Sequence, residues 1–293
     1  MVPDETGAFV PLAGGAVFNT AIGLGRQGVP VGLLSGVSTD LFGARLVDEL
    51  SNSNVATEHL VRSHGPTTLA FVTLENGKAK YAFYDENTAG RLIESSQIPE
   101  SLPSDIQALF FGGISLAVEP CADTYLEILK RHGENRLVMV DPNIRPGFIA
   151  DEKRYRARLN EVLSLSDIIK VSDEDLDWLD PRAVGIEEKA GDLLNLGVKL
   201  VCLTLGADGV KVFSSEGLLA EIVAPKVNVV DTVGAGDAFN AGLLTILHRM
   251  DALNKNSLND LAITTLEQAV GFAARFAGDT VTRKGSDPAW NFE

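Results

Sequence analysis

The sequence predicts an α/β fold in which a doubly wound, mostly parallel central sheet is flanked by helices and carries a small antiparallel β lid. From residue 108 to residue 171, segments rich in β-branched residues alternate with amphipathic segments, a pattern typical of parallel sheets. A pair of extended segments with a strong hairpin turn interrupts the chain between residues 67 and 84. The 293 residues, 45% of them hydrophobic, suffice for one large domain with a small appendage.

The composition excludes several classes of function. No apolar run approaches the length of a bilayer span, and the first residues lack the pattern of a signal peptide, so we expect a cytoplasmic protein. The formal charge of −15 argues against nucleic acid and anionic membranes as partners, because both need a basic surface. Cys121 and Cys202 are too few for a disulfide framework, and the histidines show no metal-ligand spacing.

The N-terminal third predicts a helix, a strand and a second helix. Two glycines at 14–15 precede the first helical run, and Asn19 falls in its first turns. Residues 31–37 predict a strand, and residues 40–50 predict a helix with apolar side chains along one side. Residues 23–28 match a dinucleotide-binding pattern literally, but these glycines close a helix instead of opening one after a strand. The dinucleotide interpretation is therefore disfavoured.

Residues 67–74 and 80–84 predict two strands, because Glu75-Asn76-Gly77-Lys78 between them favours a tight hairpin turn. An antiparallel insert in a chain of alternating strands and helices predicts a separate lid, which can keep water from a reacting group. The predicted bounds are 1–12 and 66–91 for the lid, and 13–65 and 92–293 for the large α/β domain.

The rest of the chain predicts regular alternation. The predicted elements are strands at 109–112, 137–141, 168–171, 201–205 and 210–213, and helices at 119–132, 152–164 and 258–277. In doubly wound sheets the ligand sites lie after the carboxyl ends of the strands. The polar loops at 141–146 and 172–175 are therefore candidate site loops.

The segment 227–247 carries the strongest functional signal. Its first residues, 227–230, are rich in valine and suit a buried strand, and residues 238–247 predict a helix. A glycine turn that enters a helix leaves backbone N–H groups free at the positive end of the helix dipole, which favours a phosphate group. Asp237 lies in that turn, where it could accept a proton from an attacking hydroxyl. The pattern predicts phosphoryl transfer to an alcohol.

Other glycine-rich motifs do not fit this turn. A Walker loop needs Gly-Lys-Ser/Thr where this chain has Gly236-Asp237-Ala238. A dinucleotide fingerprint needs a third glycine where Phe239 stands, and an acidic residue about 20 positions further on, where the chain has none. A plain glycine turn with Asp237 as a helix-capping residue stays open as an alternative.

The run Asp231-Thr232-Val233-Gly234-Ala235-Gly236-Asp237 resembles the C-terminal signature of the ribokinase-like (PfkB) sugar kinases. The segment from Gly14 to Asn19, followed by Gly36, Asp40 and Phe42-Gly43, is similar to the N-terminal half of that family. The resemblance implies a kinase that uses ATP with Mg²⁺, in which Asp237 is the base. It further implies that the amides of Gly234, Ala235 and Gly236 hold the transferring phosphoryl group, and that Gly14, Gly15 and Asn19 hold the sugar.

Residues 84–91 resemble the corresponding stretch of bacterial fructokinases, which makes Arg91 a candidate sugar ligand. Relatives that act on acidic keto-sugars carry an arginine where this chain has Asp85. A carboxylate there would repel an acidic substrate, so we expect a neutral sugar. The resemblance to fructokinases implies fructose as that sugar and fructose 6-phosphate as the product. Plain solvation of Asp85 and Arg91 stays open as an alternative.

The same resemblance implies the remaining site residues. Asn143 and Arg145 match a loop on the sugar and phosphate side. Relatives act on metal-bound phosphates through Asn-x-x-Glu where this chain has Ser172 and Asp175, so Asp175 is a candidate for water-mediated Mg²⁺ binding, although helix capping explains the pair equally well. The implied nucleotide ligands are Thr204, Gly206, Gly209, Lys170 and Ala274, and the implied ligands of a monovalent cation such as K⁺ are Asp231 and Val233.

The competing class is a non-catalytic sugar-binding relative. Members of the family begin with a core strand that carries a sugar-binding aspartate, and residues 1–12 do not supply it. Among kinases, a ribokinase or a 2-keto-3-deoxygluconate kinase is the alternative to a fructokinase. An exposed edge of the lid also predicts a homodimer formed by strand addition.

Overall fold

The computed structural model describes residues 1–3, 7–75, 78–259 and 261–293. Its strands in chain order are β1 (Val2–Pro3), β2 (Phe9–Val10), β3 (Val31–Gly32), β4 (Gly36–Ser38), β5 (Val55–Ala56), β6 (Val61–Ser63), β7 (Leu69–Glu75), β8 (Lys78–Tyr84), β9 (Ala108–Gly112), β10 (Leu137–Asp141), β11 (Ile168–Ser172), β12 (Leu200–Thr204), β13 (Val210–Ser214) and β14 (Gly217–Ile222). Its α-helices are α1 (Ala16–Arg26), α2 (Leu41–Asn52), α3 (Cys121–His132), α4 (Glu152–Ser164), α5 (Asp173–Leu179), α6 (Ile186–Leu194), α7 (Ala235–Arg249), α8 (Lys255–Asn259) and α9 (Ile263–Thr280).

Six strands form the central sheet in the order β14-β13-β12-β11-β10-β9. The strands from β9 to β12 run parallel, whereas β13 and β14 add antiparallel at one edge. Parallel neighbours need a crossover connection, and helices supply it here, as the alternating sequence pattern indicates. The predicted mostly parallel sheet is confirmed.

The sheet is covered on both faces, because neighbouring residues on a strand point to opposite sides. On β10, Leu137 and Met139 pack in a core that includes residues of α7 and α9. Val138 and Val140 pack in a second core that includes residues of α3 and α4. Helices on both sides of a parallel sheet make the fold doubly wound, as predicted.

The predicted strand at 227–230 is wrong. Val229 and Val230 are more than half exposed, and residues 223–230 join no strand within the described part of the chain. The N–H of Val230 instead donates to the carbonyl of Val281, which follows α9, at 2.8 Å. β-branched residues favour a strand only where a partner edge is available, and this segment runs along the molecule without one.

Two other predicted elements divide. The predicted strand at 31–37 is two short strands, β3 and β4, because β3 pairs with β5 and β4 pairs with β6. The predicted helix at 258–277 is the short α8 followed by α9, which ends at Thr280. The first element is split because its two halves pair with different strands. Residue 260, which lies between the two helices, is outside the described residues.

The predicted hairpin forms a sheet of its own, in which β7 and β8 pair antiparallel. Its turn, residues 76–77, lies outside the described residues. In one contact of the hairpin with the rest of the chain, the ring of Phe83 lies 4.4 Å from the ring of Phe148, centroid to centroid. Aromatic pairs at this distance add to the stabilisation that burial gives. This contact joins the hairpin to the loop that follows β10.

Candidate active site

The glycine turn before α7 has the geometry of an anion site. Gly234 adopts the left-handed conformation with φ at 82°, and a Cβ there would lie 2.1 Å from the Ser286 hydroxyl oxygen, so only glycine fits. Among the described residues, the N–H groups of Gly236 and Asp237 have no acceptor. The N–H of Ala235 already donates to the Thr232 carbonyl, at 3.3 Å. Gly236 and Asp237 are therefore better placed than Ala235 to bind an anion at this helix end.

Asp237 is held in the first turn of α7 by α1. The residue is only 8% exposed, and the Asn19 Nδ2 donates to its Oδ2 at 2.7 Å. The Thr20 hydroxyl donates to the Asp237 main-chain oxygen at 3.3 Å. The capping alternative is not what the structure shows, because the residue before α7 is Gly234 and makes no side-chain cap. The carboxylate is instead held by the hydrogen bond from Asn19, which is distant in sequence.

Burial, assisted by the charge of Asp141, raises the pKa of the Asp237 carboxyl to about 6. The hydrogen bond from Asn19 and the charges of Lys170 and Arg145 oppose this rise. A carboxyl group with this pKa is mostly ionised at pH 7 and is a stronger base than a solvated aspartate. Asp237 can therefore take a proton from a bound hydroxyl.

A buried polar cluster lies beside Asp237. The Lys170 ammonium donates to Oδ2 of Asp141 at 3.1 Å, and the Asn240 Nδ2 donates to the same oxygen at 2.7 Å. These side chains come from β11, β10 and α7 and are all at least nine-tenths buried. Burial alone would lower the pKa of Lys170, but Asp141, Asp175 and Asp237 raise it above the usual value. Lys170 therefore stays positively charged.

The candidate sugar ligands surround the same opening. Gly14 and Gly15 lie exposed directly before α1, and Asn143 adopts a left-handed φ of 42° in the loop after β10. Such a conformation is uncommon outside glycine and often occurs in functional loops. Arg145 is exposed, and its guanidinium donates to the Ile144 carbonyl at 2.9 Å.

Asp85 is not solvated, since it is 7% exposed. One carboxylate oxygen accepts from the Thr68 hydroxyl at 2.7 Å, and the other lies 3.7 Å from the Arg91 guanidinium without a hydrogen bond. Arg91 also donates to the Glu119 main-chain carbonyl at 3.1 Å. The Arg91 side chain is partly exposed. The solvation alternative is therefore wrong for Asp85.

Ser172 caps α5, as the capping alternative requires. Its hydroxyl accepts from the Asp175 N–H at 3.0 Å, while Asp175 accepts from the N–H groups of Ser172 and Ile144. Asp231 likewise binds the main chain, because its two oxygens accept from Val233 at 3.0 Å and from Gly285 at 2.9 Å. Both carboxylates thus shape the loops that border the opening, and metal binding by them stays a prediction.

A single cleft of about 2200 Å³ joins these groups. The residues proposed for the nucleotide lie at the end of β12, in the turn that follows it, on β11 and on α9. Each sequence-predicted site residue lines this cleft: Gly14, Gly15, Asn19, Arg91, Asn143, Arg145, Lys170, Asp175, Thr204, Gly206, Gly209, Asp231, Val233, Gly234, Ala235, Gly236, Asp237 and Ala274. A cleft of this size can hold a hexose together with a nucleoside triphosphate.

The described residues contain no group of three or more His, Cys, Asp or Glu side chains arranged to hold a metal ion. Within the same residues, no helix is long and apolar enough to cross a membrane.

The family model for pfkB family carbohydrate kinases matches residues 2–291. This chain belongs to that family. It is thus a carbohydrate kinase, a phosphotransferase with an alcohol acceptor. A fructokinase of Rhizobium leguminosarum bv. trifolii is 44% identical over 265 residues, which cover 89% of this chain and 80% of the relative.

Solved structures of other kinases superpose over nearly the whole chain. A fructokinase from Xylella fastidiosa with bound ATP has a TM-score of 0.90 at 28% identity and covers 98% of this chain and 90% of that one. A fructokinase from Vibrio cholerae O395 with fructose, ADP and calcium has a TM-score of 0.84 at 25% identity, covering 97% and 90%. An aminoimidazole riboside kinase from Salmonella enterica has a TM-score of 0.83 at 26% identity, covering 97% and 91%.

Sequence reasoning about this pfkB kinase missed one contact and two residues of the site. It did not bring Asn19 to Asp237, because 218 positions separate them. It also gave no role to Asp141, which begins a candidate site loop, or to Asn240. Asn240 lies three residues after Asp237 on a helix, and Asp141 ends a predicted strand, so their positions held a signal that they face the same region.

Proposed function

We propose that this chain is an ATP-dependent fructokinase, which transfers a phosphoryl group to the primary hydroxyl of D-fructose and forms fructose 6-phosphate. The observation that carries the proposal is the position of Asp237. Its buried carboxylate and two free N–H groups lie at the start of α7, within one cleft large enough for both substrates. The similarity to fructokinases supports the choice of sugar.

In the proposed mechanism, Asp237 accepts the proton of the attacking hydroxyl. The Asn19 amide, at 2.7 Å, keeps the carboxylate turned towards the sugar side of the cleft. The N–H groups of Gly236 and Asp237, with a contribution from Gly234, stabilise the negative charge of the transferring phosphoryl group. Ala235 contributes less, because its N–H is directed to Thr232.

The nucleotide lies along the carboxyl ends of β11 and β12 in this proposal. Thr204, Gly206 and Gly209 border the phosphates and ribose, and Ala274 of α9 borders the adenine. The exposed valines at 227–230 line the same part of the cleft and offer an apolar surface to the base. An apolar segment without a strand partner is well suited to this use.

ATP carries Mg²⁺ into the site as part of the substrate. The donor set fits this arrangement, because Asp173, Glu174 and Asp175 in the first turn of α5 all border the cleft and offer carboxylate oxygens, with Asp175 as the proposed ligand. Mg²⁺ bound mainly by phosphates and water needs only one or two protein ligands. A monovalent cation such as K⁺ is proposed beside Asp231 and Val233, where it would order the loop before α7.

The substrate is proposed to be a neutral sugar because of Asp85. This buried carboxylate has one oxygen without a hydrogen bond within the described structure, and the Arg91 guanidinium lies 3.7 Å from that oxygen. A sugar acid would place a second carboxylate in this part of the cleft, where repulsion is weakly screened. A neutral ketohexose meets no such penalty, and its hydroxyls can donate to Asp85.

The proposed domain division assigns 1–12 and 66–91 to a lid over the sugar and 13–65 and 92–293 to the large domain. The contact of Phe83 with Phe148 supports it, since it joins the hairpin to the loop that carries Asn143 and Arg145. A closed lid excludes water from the phosphoryl group. Pairing of two lids in a homodimer remains a proposal that rests on the exposed hairpin edge.

The test is ADP formation with a panel of acceptors and identification of the product. Purified protein is incubated with MgATP and fructose, ribose, 2-keto-3-deoxygluconate or a purine nucleoside, and ADP is measured by a coupled assay. We expect the highest kcat/KM with fructose, and phosphorus-31 NMR of the product should place the phosphate on carbon 6. A higher kcat/KM with ribose, the nucleoside or the sugar acid would identify that compound, and not fructose, as the substrate. Sugar-dependent thermal stabilisation without ADP from any acceptor would contradict the kinase proposal.

A further inference from the structure

The cluster of Asp141, Lys170 and Asn240 lies directly behind the predicted anion site. A Cβ placed on Gly236 would be 2.9 Å from the Lys170 Nζ and 4.0 Å from Oδ2 of Asp141. A side chain at residue 236 would therefore collide with the ammonium group. Glycine at this position lets the main chain of the first turn of α7 lie against the Lys170 ammonium.

The cluster contains two buried hydrogen-bond acceptors without donors among the described residues. Lys170 donates to Oδ2 of Asp141, and that oxygen also accepts from Asn240. The other carboxylate oxygen of Asp141 and Oδ1 of Asn240 are buried and have no hydrogen-bond partner within the described structure. Retaining two buried acceptors without donors costs free energy, so a plain structural role explains the cluster poorly.

Four groups on the elements around Asp237 act on its carboxylate. Asn19 of α1 donates a hydrogen bond to it, and the charges of Asp141 on β10, Lys170 on β11 and Arg145 in the loop after β10 act on it through space. Lys170 and Asp141 lie next to Gly236, the residue before Asp237. Arg145 is exposed and its charge is screened by water, whereas Asp141 and Lys170 are buried. Buried charges act more strongly at a given distance because the local dielectric constant is low.

We propose that Lys170 and Asp141 are positioning residues that set the charge of Asp237 from behind the first turn of α7. Lys170 favours the ionised carboxylate that proton acceptance requires, and Asp141 holds the ammonium in place while opposing its effect. This inference rests on the proposed role of Asp237 as the base. It assigns to Lys170 a function that does not require contact with the nucleotide.

The opposite signs of the two charges provide the test. We expect Lys170→Met to move the acid limb of the pH profile of kcat/KM to higher pH, because the ionised form of Asp237 loses a favourable charge. Asp141→Asn should move the same limb to lower pH. Each shift should be roughly one pH unit, the size typical of an opposite or like charge within a few ångströms. This limb reports the free enzyme, so nucleotide affinity does not set its position.

Two control proteins separate this effect from loss of structure. Lys189→Met removes another buried lysine, which lies on α6 outside the cleft and pairs with Asp177 of α5 at 2.6 Å. This substitution should leave the acid limb of the pH profile unmoved. The double variant Asp141→Asn/Lys170→Met removes both charges together. It should place the limb between those of the two single variants and close to the wild-type position.

Carbon-13 NMR of aspartate carboxyl groups gives a readout that does not depend on turnover. The Asp237 resonance, assigned by its absence in Asp237→Asn, should titrate at higher pH in Lys170→Met and at lower pH in Asp141→Asn. Single variants that leave the titration unmoved, or that shift it in the same direction, would overturn the inference. Absence of ADP formation with every acceptor would instead contradict the proposed function, and the NMR titration would still decide the charge coupling.

Discussion

Replacement of Asp237 by asparagine should stabilise the folded protein at neutral and alkaline pH. Folding buries the carboxylate to 8% exposure and raises its pKa from 3.8 to about 6. The ionised form is therefore disfavoured in the folded state. An asparagine keeps the shape of the side chain, and its oxygen can still accept the hydrogen bond from Asn19.

The size of the gain follows from the pKa difference. A rise of about 2 pH units corresponds to about 3 kcal/mol of unfolding free energy. The unfolded carboxyl loses its proton near pH 4 and the folded one near pH 6, so wild-type stability falls as pH rises through this window and is flat above it. The advantage of Asp237→Asn should be about 3 kcal/mol at pH 8 and about half of that at pH 5, where the folded wild type is mostly protonated.

Urea unfolding at pH 8 and pH 5 measures this difference. Asp48→Asn is a suitable control, because Asp48 is exposed on α2, and its substitution should change the unfolding free energy by less than about 0.5 kcal/mol. The reasoning is refuted if Asp237→Asn is no more stable than the wild type at pH 8. It is also refuted if the gain is the same at both pH values, since the carboxyl would then not titrate between them.

Two further substitutions probe the turn before α7 and the lid. Gly234→Ala places a Cβ against the Ser286 hydroxyl at a residue in the left-handed conformation. We expect it to abolish activity and to lower the unfolding free energy, measured with urea, by about 2 kcal/mol. Gly147→Ala is the control, because a Cβ there meets nothing within 4 Å, and it should change neither quantity. Phe148→Ala removes the ring that packs on Phe83 and should raise both the KM for fructose and the rate of ATP hydrolysis without sugar; unchanged values of both would contradict a lid contact.

Local patterns in the sequence were sufficient for much of the fold. The strands β9 and β10 and the helix α4 were predicted to within one residue, because each depends on the alternation or helical spacing of its own residues. The glycine turn before α7 was also readable, since φ at Gly234 and the free amides are properties of one short segment. The site residues inferred by resemblance lie around one cleft.

What the sequence did not reveal depends on contacts between distant segments. The valines at 227–230 have the composition of a strand, but no strand edge among the described residues pairs with them. The contact of Asn19 with Asp237 needs α1 and α7 to pack together, and the pairing of Lys170 with Asp141 needs two neighbouring strands in register. Spacing along one element cannot indicate such contacts, because the packing of whole elements decides them.

The rate of fructose-dependent ADP formation by Asp237→Asn at pH 8 tests most directly whether this carboxylate is the base. We expect kcat to fall at least 100-fold, the order that loss of a general base produces, in a protein that unfolds at a higher urea concentration than the wild type. A folded variant that retains kcat within a factor of ten would show that the proton leaves by another route.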